Sequence, residues 1–299
     1  MSRQYSFIAD TPGIRLDKFL GEKCPELSRT HAQKLIAEGL VTVNGKIEKG
    51  SLKLNAGDKV DLTIPPEAPA HLTPESIPLK IIYEDNDLMV IDKPAGLAVH
   101  PAPGHPEHTL ANAVVGHMPE LAEEDEDNLR PGIVHRLDMD TSGLILVAKN
   151  RVAQANLSDQ FKSRVVSKYY QALVQGKLKP ETGIIEANIG RDPRNRQRMA
   201  VVTGGREART EYRVIKYIGN YTLLEIKPET GRTHQIRVHL AAIGFPVVGD
   251  TTYGVPSPHI ARQFLHAGKI KFKLPSTGEY VEFQSPLPPD LEKALKDIS

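Results

Sequence analysis

His135-Arg136-Leu137-Asp138-Met139-Asp140-Thr141-Ser142-Gly143 leads directly into Leu144-Ile145-Leu146-Val147-Ala148 near the middle of the chain. An aliphatic run bounded by Gly143 and by Lys149-Asn150 has the length and flanks of a buried strand. Upstream, the Pro131-Gly132 turn is followed by Ile133-Val134, which predicts a second short strand. A loop dense in ionisable groups is thus held between two segments that avoid water, a common setting for catalytic side chains on a rigid scaffold.

Working outward, residues 152–163 put Ala153, Leu157 and Phe161 on one stripe and read as a helix. Residues 168–174 follow as a strand in which Tyr170, Ala172 and Val174 share a face. Further strands are predicted at 210–216 and 222–227. Glu229-Thr230-Gly231-Arg232-Thr233 then turns into a helix over 234–243, with Ile236, Leu240 and Ile243 as its apolar stripe and Gly244 as its stop. Residues 264–267 and 280–283 are strand-like, and 291–298 form a last helix. On the upstream side, Ile81-Ile82-Tyr83 and Leu88-Met89-Val90-Ile91-Asp92 are strands, Lys93 to Pro101 is a turn-rich loop, and 109–118 is a short helix. The acidic run 123–127 reads as a solvated loop. Strands outnumber helices and several are joined by short turns, so an α+β fold is expected, its large domain a mixed, mainly antiparallel sheet flanked by helices and loops.

A smaller αβ module is predicted at 15–64, after an N-terminal segment 1–14. Ser28 caps a helix whose Ala32, Leu35 and Ile36 lie opposite His31, Lys34 and Glu38, and Gly39 ends it. Val41-Thr42-Val43 enters an Asn44-Gly45 hairpin turn, and Gly57-Asp58 opens a strand with Val60, Leu62 and Ile64 on one face. Residues 65–79 hold Pro65, Pro66, Pro69, Pro74 and Pro78 and read as a semi-extended linker, which leaves 80–299 as the large domain.

Composition bounds the function classes. The 299 residues are 39% hydrophobic and 25% charged, in the range of a soluble globular protein. The single cysteine, Cys24, excludes an internal disulfide and a multi-cysteine zinc site. No apolar run approaches the length of a membrane span, so a cytoplasmic protein without membrane attachment is expected. A net charge of +1 announces no polyanion partner, and any basic footprint must be local. The most cationic segment is Arg191-Asp192-Pro193-Arg194-Asn195-Arg196-Gln197-Arg198, which suits phosphate contact and solvated surface equally.

Three chemistries compete for the central loop. His100, His105, His108, His117 and His135 invite a metal site with Asp138 and Asp140, but their spacing is not that of a helical ligand pair. Ser142 lacks the Gly-x-Ser-x-Gly elbow that exposes a nucleophilic serine. Asp138 serves as nucleophile or electrostatic stabiliser only if a cation keeps it ionised, and Arg136, Arg232 and Arg237 are candidates. A turn-capping Asp138 remains the plain alternative.

Two resemblances bear on this choice. Arg15-Leu16-Asp17-Lys18-Phe19-Leu20, Ser28-Arg29, Ile36-Ala37-Glu38-Gly39-Leu40-Val41, Val43-Asn44-Gly45 and Gly57-Asp58 resemble the S4 RNA-binding domain. Ile133-Val134-His135-Arg136-Leu137-Asp138-x-Asp140-Thr141-Ser142-Gly143-Leu144 resembles the signature of the RluA-type pseudouridine synthases. The likeness continues through Lys93-Pro94-Ala95-Gly96-Leu97, Lys168-x-Tyr170-x-Ala172, Thr230 to Leu240, Leu265-His266-Ala267 and Ser285-Pro286-Leu287. It implies an isomerase that converts uridine to pseudouridine without cofactor or metal, and the pairing with an S4 module is similar to the branch acting on large-subunit ribosomal RNA. It also implies Asp138 as the catalytic aspartate, Tyr170 against the base, Arg237 as the paired cation, Arg136 as the residue filling the RNA stack, and Leu265 as a pocket wall. The expected RNA surface comprises Arg136, His135 and Arg232 at the central motif, Arg15, Lys18, Arg29 and Lys34 of the S4-like module, and Arg194, Arg196 and Arg198 of the cationic segment. The expected partner is ribosomal RNA or its assembly precursor, bound by a monomer. A non-catalytic RNA-binding ribosome-assembly factor is the alternative from another class.

Overall fold

In the computed structural model, which describes residues 3–24, 27–64, 72–102, 105–123, 130–254 and 256–298, the chain divides into two units, Met1–Pro69 and Ala70–Ser299. The first unit runs β1 (Arg3–Ile8), α1 (Leu16–Lys23), α2 (Arg29–Ala37), β2 (Val41–Val43), β3 (Lys46–Ile47) and β4 (Lys59–Ile64). Its sheet has the order β1-β4-β2-β3. β1 falls in the segment set ahead of the module on sequence, yet all six of its residues pair antiparallel with β4. Only Tyr5 and Phe7 turn inward and Ile8 is exposed, so its apolar signal is short. Leu16, Phe19 and Leu20 bury α1 against α2, and Ser28 caps α2 by accepting the His31 N–H at 3.2 Å.

The second unit runs β5 (Ile81–Glu84), β6 (Leu88–Lys93), α3 (Leu110–His117), α4 (Glu120–Glu123), β7 (Ser142–Ala148), α5 (Arg151–Lys162), β8 (Ser167–Gln175), β9 (Thr182–Glu186), β10 (Ile189–Arg191), β11 (Met199–Val201), β12 (Arg209–Ile218), β13 (Tyr221–Pro228), α6 (Gln235–Ala242), β14 (Leu265–Lys273), β15 (Tyr280–Gln284) and α7 (Pro289–Ile298). Nine of these strands form one sheet of order β5-β6-β7-β14-β8-β13-β12-β9, with β15 on β14; β10 and β11 make a separate hairpin. Every pair is antiparallel except β7 with β14. The mixed, mainly antiparallel sheet expected from the sequence is the one observed.

β7 reads as an unbroken apolar run because both its faces are covered. Leu144 and Leu146 join Ala153 and Leu157 of α5, while Ile145 and Val147 join Leu110 and Val114 of α3. Ile133-Val134 is not a strand: Ile133 makes a single bridge to Val147, since the chain there leaves the sheet for the Asp138 loop. β7 and β14 run parallel over only two register pairs, His266 with Ser142 and Ala267 with Gly143. Gly143 has φ +114°, and a Cβ there would lie 2.3 Å from the Ala267 carbonyl oxygen, so only glycine admits this approach. Among the described residues no helix is long and apolar enough to cross a membrane. The acidic run 124–127 and the proline-rich residues 65–71 lie outside the described residues, as does the side chain of Arg29.

Candidate active site

The short β7–β14 junction leaves the Asp138 loop at a corner bordered by β8 and by the start of α6. Asp138, Thr141, Tyr170, Thr230, His234, Arg237 and Leu265 line one cleft there, together with exposed Arg136 and half-buried Lys168 and Arg232. Asp138 keeps 16% side-chain exposure, enough for a substrate atom to reach it. Its Oδ2 accepts from Arg237 Nη1 at 3.1 Å, and His234 Nε2 stands 4.0 Å from Oδ1. Tyr170 is 7% exposed, and burial followed by the Asp138 charge holds its hydroxyl above its ordinary pKa, so it stays protonated.

Arg237 reaches Asp138 with one nitrogen because Asp250 holds the others. Nε donates to Asp250 Oδ2 at 2.7 Å and Nη2 to Oδ1 at 2.8 Å. Asp250 is fully buried and also accepts the N–H groups of Thr252 and Tyr253, at 2.9 and 3.1 Å. Burial opposes the charge on both partners, but their fork lowers the Asp250 pKa and raises that of Arg237. The Tyr253 ring lies between two guanidinium groups, 5.1 Å from Arg237 and 5.0 Å from Arg198. Its oxygen accepts from the Met199 N–H at 2.9 Å and faces His234 Nδ1 at 2.8 Å. In the tautomer in which the hydroxyl donates to Nδ1, the neutral imidazole carries its N–H on Nε2, on the Asp138 side. Burial lowers the His234 pKa, consistent with a neutral ring.

A second set of contacts fixes the loop from below. Lys93 is fully buried and donates to the carbonyls of Pro94, Leu97 and Met139, at 2.7, 2.9 and 2.9 Å. Burial lowers its pKa to about 7 against the opposing pull of Asp140 and Asp138. Arg262 Nη1 donates to the Asp140 carbonyl at 3.0 Å and its guanidinium pairs with Asp290. Ser142 Oγ and His266 Nδ1 are 3.0 Å apart, but both side chains are buried and His266 Nε2 is committed to the Ser285 carbonyl. This pair braces the loop and does not present a nucleophile.

The sequence-derived candidates divide accordingly. Asp138, Tyr170, Arg237, Leu265, Arg136 and Arg232 meet at the cleft. His135 does not line this cleft: its Nε2 accepts the Leu146 N–H at 2.8 Å, its ring lies 4.6 Å from that of Phe161, and burial lowers its pKa to about 3. Arg15 is forked onto buried Asp17 at 3.0 and 2.9 Å and keeps 43% side-chain exposure. Lys18 and Lys34 are exposed and stand 3.5 and 3.8 Å from Glu22 and Glu38, one helical turn on. Arg194 and Arg196 are exposed on the β10–β11 turn, whereas Arg198 packs on Tyr253. Among the described residues no three His, Cys, Asp or Glu side chains gather closely enough to hold a metal ion.

Sequence reasoning missed Asp250, Tyr253, His234, Lys168, Lys93 and Arg262. Lys168 carried a usable signal, since it alternates onto the face of Tyr170. Asp250 carried none because the turn that holds it has no pattern pointing to Arg237, 13 residues before it, and Arg262 carried none because Asp140 is 122 residues away.

Residues 87–242 match the family described as RNA pseudouridylate synthase, and residues 14–60 match the S4 domain. Over 286 residues the chain is 51% identical to an uncharacterized RNA pseudouridine synthase of Chloroflexus aurantiacus, covering 95% of this chain and 90% of the relative. It is 43% identical over 296 residues to ribosomal large subunit pseudouridine synthase D of Nitrosomonas europaea, covering 96% and 85%. Among solved structures, human RNA pseudouridylate synthase domain containing 1 aligns with a TM-score of 0.59 at 30% identity, covering 74% of this chain and 89% of that one.

Proposed function

The chain belongs to the RNA pseudouridylate synthase family, a family of RNA isomerases, and on that premise we propose that it isomerises specific uridines of large-subunit ribosomal RNA with Asp138 as the catalytic carboxylate. The observation that carries the reading is the Asp138–Arg237–Asp250 chain beneath a cleft walled by Tyr170 and Leu265. A carboxylate with a fixed cation on one oxygen keeps the other free for an electron-poor carbon. The reaction detaches uracil from C1′, turns it and rejoins it through C5, so atoms balance without a redox partner. The base must leave its stack to reach Asp138, which costs a few kcal/mol and suits exposed Arg136 at the cleft as the side chain that fills the gap. The ribosomal target rests on the S4 match and on relatives named for the large subunit.

The S4-like module, residues 15–64, and the Arg194–Arg196 turn supply exposed cations for RNA outside the cleft, with 65–79 as the linker to the catalytic domain of 80–299. We place the protein in the cytoplasm, where its RNA is made, acting as a monomer without membrane attachment. The experiment is incubation with an unmodified large-subunit ribosomal RNA transcript, followed by chemical mapping of pseudouridine. Asp138→Asn should form no product while binding the transcript within about threefold of wild type, a change worth less than about 1 kcal/mol. Wild-type turnover in that variant would remove Asp138 from the chemistry. RNA binding without product from the wild-type protein would favour the assembly-factor reading.

A further inference from the structure

Beside the Asp138 cleft lies a second cavity of about 470 Å³. The two share Arg136, Lys168, Thr230, Gly231 and Arg232, so they meet along one wall. The volume falls within the ~300–1,000 Å³ typical of small-ligand sites. Its lining is cationic: Lys162 and Arg164 add to the shared basic side chains, and its one carboxylate, Glu229, is already paired with Arg209.

Lys168 is the informative group. It stands two residues before Tyr170 on β8 and shares its face, half-buried where the two cavities join. Its Nζ has no hydrogen-bond acceptor and no carboxylate partner among the described residues, and it rests 5.6 Å from the centre of the Phe161 ring. The half-buried ammonium thus faces the two cavities and the Phe161 ring with no acceptor from the fold, and burial lowers its pKa to about 8. Buried Lys93, by contrast, has three carbonyl acceptors. An anion entering between the cavities would supply what Lys168 lacks. Because Lys168 stands on the wall common to both cavities, a strand with one nucleotide in each would carry its connecting phosphodiester past this side chain.

We infer that Lys168 binds the phosphodiester flanking the uridine held in the Asp138 cleft, and that the second cavity receives the adjoining nucleotide. The inference rests on the proposed function for the identity of the strand. It makes Lys168 a substrate-binding group distinct from Asp138, Tyr170 and Arg237.

The test compares wild type, Lys168→Met and Lys168→Arg for binding to an unmodified large-subunit ribosomal RNA transcript across a potassium chloride series. One lost phosphate contact makes the slope of log affinity against log salt shallower by about 0.7–0.9 in Lys168→Met, and Lys168→Arg keeps the wild-type slope. Apparent KM for pseudouridine formation should rise about tenfold in Lys168→Met with kcat within about threefold, the pattern of a lost binding contact. Without RNA, Lys168→Met should melt no lower than wild type, because it removes an unpaired ammonium. An unchanged salt slope overturns the inference. A fall in kcat alone also overturns it, by moving Lys168 into the chemistry. Stabilisation of the wild type by inorganic phosphate with equal RNA slopes assigns the site to a free anion and overturns it too. A marked drop in melting temperature in Lys168→Met would show that the ammonium is already satisfied within the fold, and this outcome likewise overturns it. Absence of pseudouridine from the wild-type reaction counts against the function instead, and the binding slopes remain readable.

Discussion

Asp250→Asn isolates the clamp behind Arg237. The substitution keeps size and shape, and the amide oxygen in the place of Oδ1 retains Arg237 Nη2 and the Thr252 and Tyr253 N–H groups. Its NH₂ then faces Arg237 Nε, donor against donor, where a 2.7 Å bond had been. Breaking a buried ion pair costs about 3–5 kcal/mol, and the low end applies because Asp138 still faces the guanidinium. At roughly 2–4 °C per kcal/mol for a domain of this size, the melting temperature should fall by about 6–12 °C. Activity should fall further than stability explains. Freed from the fork, Arg237 turns toward Asp138, and a displacement of about 1 Å at a reacting carboxylate lowers turnover by about 100-fold. Release of tritium from RNA carrying uridine labelled at C5, measured under single-turnover conditions well below the melting transition, reads the chemical step directly. Turnover within twofold of wild type would refute the positioning role. An unchanged melting temperature would refute the energetic role of the fork.

Two further outcomes follow from the same geometry. Gly143→Ala places a Cβ against the Ala267 carbonyl at φ +114° and should destabilise the fold by more than about 2 kcal/mol in urea unfolding; a loss below about 0.5 kcal/mol would contradict the close approach of β7 and β14. Lys93 has a folded pKa of about 7, below its ordinary 10.5, so the unfolded chain binds more protons between those values and this group's contribution to stability rises with pH across that window. The stability of wild type relative to Lys93→Met should therefore increase from pH 7 to pH 10.5 in denaturant titrations, and a flat or falling difference would show that the three carbonyls hold the ammonium charged throughout.

The parts of this fold legible in the sequence are those with a local period. β7 announces itself by an unbroken apolar run and α5, β8 and α6 by a stripe or alternation, while in the first unit Ser28 marks the cap of α2 and Asn44-Gly45 the β2–β3 turn. β1 is obscured because only Tyr5 and Phe7 face inward along a strand whose partner is more than fifty residues away. The cleft divides in the same way. Asp138, Tyr170 and Arg237 stand in separate motifs whose order carries a family likeness, so their meeting could be expected without any knowledge of distance. His135 belongs to the same motif, yet backbone accounting takes its imidazole: the Leu146 N–H needs an acceptor where the chain leaves the sheet. Asp250 lies in no pattern that announces a carboxylate with four donors. Such a residue is visible only when the three nitrogens of Arg237 are each given a direction.

The bracing of the Asp138 loop also sets a clock. Asp140 and Ser142 are held by Arg262 and His266, 122 and 124 positions later in the chain. At about 5–20 residues per second, synthesis exposes the loop roughly 6–25 s before its braces exist. Closing so long a separation comes late in folding, after local hairpins and helices have formed. On the proposed function, Asp138 therefore lacks these braces on a nascent chain and on any product that ends before Arg262. A fully braced loop becomes a certificate that translation has reached β14.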